Sequence, residues 1–153
     1  MTIGQRILPG SPKLERSGTA LGRLFPVSEI VLRSAIPILF VRDVPASAAF
    51  FRDKLGFDVD FLHGTPPFYG SVSRGEACLH LRVVHRPNFA ELAAREVSLI
   101  LATVEVPDIR RLFEEFEGRG VEFAQMPTRQ SWGGTDFHVR DLDGNVISFV
   151  AYV

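Results

Sequence analysis

Residues 35–57 read AIPILFVRDVPASAAFFRDKLGF, and the fold follows from how this stretch is divided. AIPILFVRDV is rich in β-branched and aromatic residues and closes on Asp43-Val44-Pro45, which predicts a strand ending in a turn. PASAAFFRDKLGF then places Ala46, Ala49, Phe50 and Leu55 at helical spacing, with Gly56 as the stop. Three more strand candidates follow: DVDFLH, FYGSVSR and ACLHLRVV. Cys78, inside the apolar run ACLHL, reads as a buried core thiol.

Beyond a polar, Ala- and Glu-rich connector at Arg86–Glu96, the pattern starts again. VSLILATVEV is a strand and Pro107-Asp108 a turn. IRRLFEEFEGRGVEF is an amphipathic helix with Leu112, Phe113 and Phe116 on one face. VEFAQM, TDFHVRD and NVISFVAYV are strands, the last two joined by Asp141-Leu142-Asp143-Gly144-Asn145. That cluster is a tight-turn signal, because Gly and Asn tolerate positive φ, so Asp141 and Asp143 read as turn formers. Asp43 to Gly56 is 13 residues and Asp108 to Gly120 is 12. Each copy is too small to cover its own sheet, so the two share one α+β domain of two tandem βαβββ modules, at about 34–85 and 97–153.

Composition narrows the function classes. A chain of 153 residues, 46% apolar, with net charge −1, describes an ordinary soluble globule. No apolar run approaches a membrane span of roughly 20 residues, and the N-terminus lacks the apolar core of a secretory signal. One cysteine excludes an internal disulfide framework and fits a reducing cytoplasm. Scattered basic residues balanced by acids speak against a nucleic-acid partner. Residues 1–33 read as a separate N-terminal arm, rich in Gly and Pro. Through residue 34, Arg6, Lys13, Arg16, Arg23 and Arg33 stand against Glu15 and Glu29, so the segment carries +3 and the remainder −4. That asymmetry suggests that the arm lies across a partner subunit or along a sheet edge.

AIPILFVRDVPASAAFFRDKLGF, VEVPDIRRLFEEFEGRGVEF and FHVRDLDGNVISF, in this order and spacing, resemble the vicinal-oxygen-chelate superfamily of glyoxalase I, extradiol dioxygenases, and fosfomycin- and bleomycin-resistance proteins. The resemblance covers about residues 34–153 and implies a glyoxalase/bleomycin-resistance-type fold with an open groove. The enzymes of that superfamily carry metal ligands on the first and last strands of each module. Those positions fall here on Ile36, on His80, on Leu99 or Leu101, and on Ser148. Only His80 is ligand-capable among them, and a catalytic metal normally takes three protein ligands, so neither a metal nor another cofactor is expected. No nucleophile elbow or phosphate-cradling loop offers a catalytic residue instead.

Within the superfamily the chain is most similar to the bleomycin-resistance proteins, which sequester a drug without destroying it. In those proteins a first-strand proline accompanies exchange of that strand between subunits, and Pro37 matches it. Their W-G-x-E-F element stacks a tryptophan on the drug. Trp132 matches, although WGGTDF has one extra residue and Asp136 in place of Glu. The resemblance implies a groove lined by Phe61, Phe68, His80, Arg82, Trp132 and His138, suited to a planar or cationic small molecule. It also implies a homodimer, with exchange of the first strand or the arm as one route to it. The alternatives are a metal-dependent lyase, isomerase or dioxygenase of the same superfamily, and a metabolite-binding protein without a resistance role.

Overall fold

The structure is a computed structural model that describes residues 30–152. The elements run β1 (Ile38–Val41), α1 (Val44–Leu55), β2 (Asp58–Gly64), β3 (Pro67–Arg74), β4 (Ala77–Val83), α2 (Phe89–Arg95), β5 (Ala102–Glu105), α3 (Ile109–Gly118), β6 (Phe123–Arg129), β7 (Thr135–Arg140) and β8 (Val146–Ala151). Residues 30–34 are exposed and without regular structure, and the rest of the arm lies outside the described residues.

The two long helices begin in the same way. Asp43 accepts a hydrogen bond from Ala46 N at 2.9 Å, and Asp108 accepts one from Arg111 N at 3.0 Å, which satisfies an amide that a helix start leaves orphaned. Gly56, at φ +69°, ends α1 in the left-handed region that disfavours a Cβ, as the sequence predicts. The buried stripe of α1 differs from the expected one. Val44, Ser47, Ala48, Phe51 and Leu55 face the core, while Ala46 is exposed and Phe50 half-buried. The larger Phe51, in phase with Val44 and Leu55, sets the helix rotation, because it has more apolar area to hide than the alanines.

Two other expectations shift. The connector contains α2, which has no buried residue and hence no apolar stripe for the sequence to display. The strand read over 97–106 shortens to Ala102–Glu105, with Ser98 at φ +58° and the first bond to its neighbour made by Leu101 N to Val146 O at 2.9 Å.

Each module forms one four-stranded sheet, ordered β1-β4-β3-β2 and β5-β8-β7-β6. In each, the first and last strands run parallel, with Ile38 beside His80 and Thr103 beside Ser148. The faces toward the helices share one core, in which Leu39, Phe51, Val72 and Leu81 of the first module join Phe116, Phe137, Ile147 and Phe149 of the second. The expectation of one domain built from two modules holds, and the fold is α+β.

The modules meet through unequal turns. Asp141 Oδ1 accepts from Asp143 N (2.9 Å) and Asn145 N (2.8 Å), shaping the β7–β8 turn. That turn then grips the exit of β1: Asp143 Oδ1 accepts from Arg42 N at 3.1 Å, and Asn145 Nδ2 donates to Phe40 O at 3.1 Å. Five residues separate β7 from β8, but only Gly75 and Glu76 separate β3 from β4. The shorter turn stops short of the exit of β5. There it leaves a cavity of about 630 Å³ between Arg74–Ala77 and Val104–Asp108. Pro107 occupies the position equivalent to Arg42 and has no N–H, so this side needs no capping carboxylate. Arg74 joins the modules instead, donating to Leu55 O (2.7 Å) and, as a fork, to Glu115 (3.0 and 2.9 Å). That fork holds the Glu115 carboxyl below its usual range.

Candidate ligand-binding faces

Strand alternation decides what the first sheet shows on its open face. Leu79 and Leu81 point into the core, so Cys78, His80 and Arg82 point away from it. Cys78 is therefore not the core thiol expected. It is half-buried, with its Sγ 3.5 Å from Ser71 Oγ. Opposite these residues, β3 offers Tyr69 beside Arg82 and Ser71 beside His80. Tyr69 OH lies 2.8 Å from His80 Nδ1. Phe61, 46% exposed, is nearly parallel to Tyr69 (14°, centroids 6.5 Å) and edge-on to His80 (5.9 Å). Asp60 is taken up by Ser71 (2.8 Å) and Ser73 (2.7 Å).

Phe68 follows a different course. It is half exposed and makes no ring contact with Phe61, Tyr69 or His80 among the described residues. It packs on His63 (centroids 5.3 Å) and over Gly64, whose missing Cβ leaves room for the ring.

On the second sheet, Phe137, Val139, Ile147 and Phe149 point to the core, which turns Asp136, His138 and Ser148 the other way. Asp136 is buried and fully engaged. Its Oδ1 accepts from Gln125 Nε2 (2.8 Å) and Gln130 Nε2 (2.7 Å), while its Oδ2 lies 3.1 Å from His138 Nε2. A carboxylate out of water requires such donors, and these three supply them. Trp132 is 55% exposed; its ring lies over Gly134 and beside Tyr152, with centroids 5.6 Å apart. A side chain on Gly134 would occupy the space of that ring, and Gly133 sits at φ +106°, where a side chain is strained, so the two glycines after the tryptophan have separate reasons.

The structure thus brings Phe61, His80 and Arg82 to one face, adds Tyr69, and sets His138 and Trp132 on the other module. Among the described residues no hydrogen bond or ring contact joins the two groups. The strand positions paired with His80 and Ser148 are Ile38 and Thr103, so the slots read from the sequence, Ile36 and Leu99 or Leu101, lie before these pairs in the chain. Among the described residues no three of His, Cys, Asp and Glu converge as a metal site would require. Tyr69, Gln125 and Gln130 were missed by sequence reasoning. Alternation from His80 through its strand pairing could have found Tyr69. The glutamines had no such signal, because the β6–β7 register shifts on either side of Gln125.

The chain is similar to several known proteins. YetH of Bacillus subtilis (strain 168), an uncharacterized protein, is 29% identical over 108 residues, covering 71% of this chain and 88% of its own. YraH of the same organism is 27% identical over 118 residues, 71% of this chain and 90% of its own. Among solved structures, the bleomycin-binding protein of bleomycin-producing Streptomyces verticillus, complexed with copper(II)-bleomycin, is 28% identical with a TM-score of 0.66, covering 81% of this chain and 99% of that one. The profile of one family spans residues 31–149, through both modules and both candidate faces. With paired βαβββ modules sharing a core and that profile matched over most of its length, the chain belongs to the Glyoxalase/Bleomycin resistance protein/Dioxygenase superfamily.

Proposed function

We propose that the protein is a metal-free binder of a flat small molecule, of the bleomycin-resistance type, rather than a catalyst. The observation that carries this reading is the open face of the first sheet. It keeps Phe61 nearly half exposed beside Tyr69 and His80, where a planar ring gains stacking area at little entropic cost. The positions paired across the parallel strands, Ile38 and Thr103, add no second imidazole or carboxylate to His80. Binding of bleomycin by the similar Streptomyces verticillus protein supports the same reading. A second copy of the chain completes the groove, bringing Trp132 and His138 of one subunit toward Phe61, His80 and Arg82 of the other. The homodimer is testable by light scattering: a monomeric mass at micromolar concentration refutes it.

The decisive test is a thermal-shift screen with bleomycin, planar antibiotics and flat metabolites, each at micromolar to millimolar concentration. Ligand at a hundredfold over its Kd stabilises by about 2.7 kcal/mol, which shifts the melting midpoint visibly. Silence across the planar set removes the reading. The buried contact between His138 and Asp136 favours the second reading, an enzyme of the same superfamily, because a carboxylate-oriented imidazole is the usual form of a general base. Stoichiometric metal in protein purified without chelator would decide for that alternative.

A further inference from the structure

Within that groove, the two sheets treat charge differently. Asp136, the one carboxylate at the centre of the second sheet's cluster, already receives two amide donors and lies against His138, so it has little left for a ligand cation. On the open face of the first sheet the Asp60 carboxylate is already met by Ser71 and Ser73 and the Tyr69 hydroxyl by His80, while His80 Nε2 and the Arg82 guanidinium have no hydrogen-bond partner among the described residues. A phenol is a good donor and a poor acceptor, and the lone pair of a neutral imidazole accepts well. In the 2.8 Å contact between Tyr69 and His80, the phenol therefore donates to Nδ1, and the imidazole proton sits on Nε2. Nε2 lies on the other side of the ring from Tyr69. On the strand flanking β4 away from β3, the neighbour of His80 is Ile38, which offers no side-chain acceptor. Arg82 follows two residues later on the same strand face, roughly 6.6 Å along it, and is exposed.

We propose that Tyr69 is a positioning residue that fixes the Nε2–H tautomer of His80, and that His80 and Arg82 together form a subsite for a carboxylate borne by a flat aromatic ring lying along Phe61. This rests on the flat-ligand reading above and names the ligand class that reading leaves open. The ring stacks on Phe61, one carboxylate oxygen accepts from His80 Nε2–H, and the Arg82 guanidinium closes on the other. The site then selects aromatic acids over aromatic cations.

Three matched probes test it by calorimetry on the full chain: 2-naphthoate, 2-naphthylmethylammonium and the neutral 2-naphthalenemethanol. Naphthoate should bind at least tenfold tighter than the ammonium, the scale of one charge-assisted hydrogen bond. Arg82→Met, at an exposed position, and Tyr69→Phe should each weaken naphthoate by roughly fivefold to tenfold while leaving the alcohol unchanged. Imidazole nitrogen NMR should report the Nε2–H form of His80 in the parent protein and a mixture of tautomers in Tyr69→Phe, a change that a merely structural tyrosine would not produce. If the ammonium binds as tightly as the acid, or if naphthoate ignores both substitutions while the alcohol still binds, the carboxylate subsite is wrong and the flat-ligand groove stands. An unchanged tautomer in Tyr69→Phe overturns the role of Tyr69. If none of the three probes binds, the groove reading and the subsite fall together.

Discussion

Asp141 is a carboxyl group held where its charge is disfavoured. Burial pushes its pKa up to about 6, against the hydrogen bonds from Asn145 and Asp143 that pull it down. An acid whose folded pKa lies above its unfolded value of 3.8 contributes stability that is complete below that value and is lost as pH rises through about 6. The stability of the parent protein relative to Asp141→Asn should therefore fall by about 2 kcal/mol between pH 4 and pH 7. Urea unfolding of both proteins across that range measures it, and a difference that does not vary with pH would contradict the shift. Asp136 is a second buried acid, with the Gln125 and Gln130 amides donating to one oxygen and His138 against the other. Truncation in Asp136→Ala orphans the Gln125 and Gln130 amides and should cost about 1–3 kcal/mol in the same assay. A loss within experimental error would mean that those amides find water instead.

At the scale of elements, two turns carry consequences beyond their own geometry. The β7–β8 turn seals the exit of β1, so Asp143→Ala should do more than relax a loop. It leaves Arg42 N without its acceptor and should cost about 1–2 kcal/mol, with faster amide exchange at Arg42 as the local signature. Protection unchanged at that amide would place the contact outside the solution structure. The loop before β7 has a similar dependence on a glycine. Gly134→Ala should push the Trp132 ring off its seat beside Tyr152, and the tryptophan emission should shift without loss of the fold. Emission identical to the parent protein would show that the ring does not rest there.

For the whole molecule, the sequence by itself determined the repeat. The strand–helix–strand–strand–strand order appears twice because local signals carry it: the paired caps Asp43 and Asp108, the stop at Gly56, and alternating apolar residues in the last strands. These depend on residues within a few positions of each other, which a linear reading captures. Helix α2 escaped that reading because no apolar stripe marks it, and the stripe of α1 was misplaced because its five alanine and phenylalanine positions fit helical spacing about equally well. Of the candidate site, the strand face shared by His80 and Arg82 was legible from alternation, while Phe61 and Trp132 were named by the family resemblance. Only the tertiary structure decided the rest. It set Ile38 beside His80, packed Phe68 on His63, and gathered Gln125 and Gln130 around Asp136. It also left the seam open on one side, where a two-residue turn replaces a five-residue one. Strand pairing and turn reach are settled by hydrogen bonds between distant segments, so a register offset of two residues changes which side chains meet while leaving the hydrophobic alternation of each strand the same.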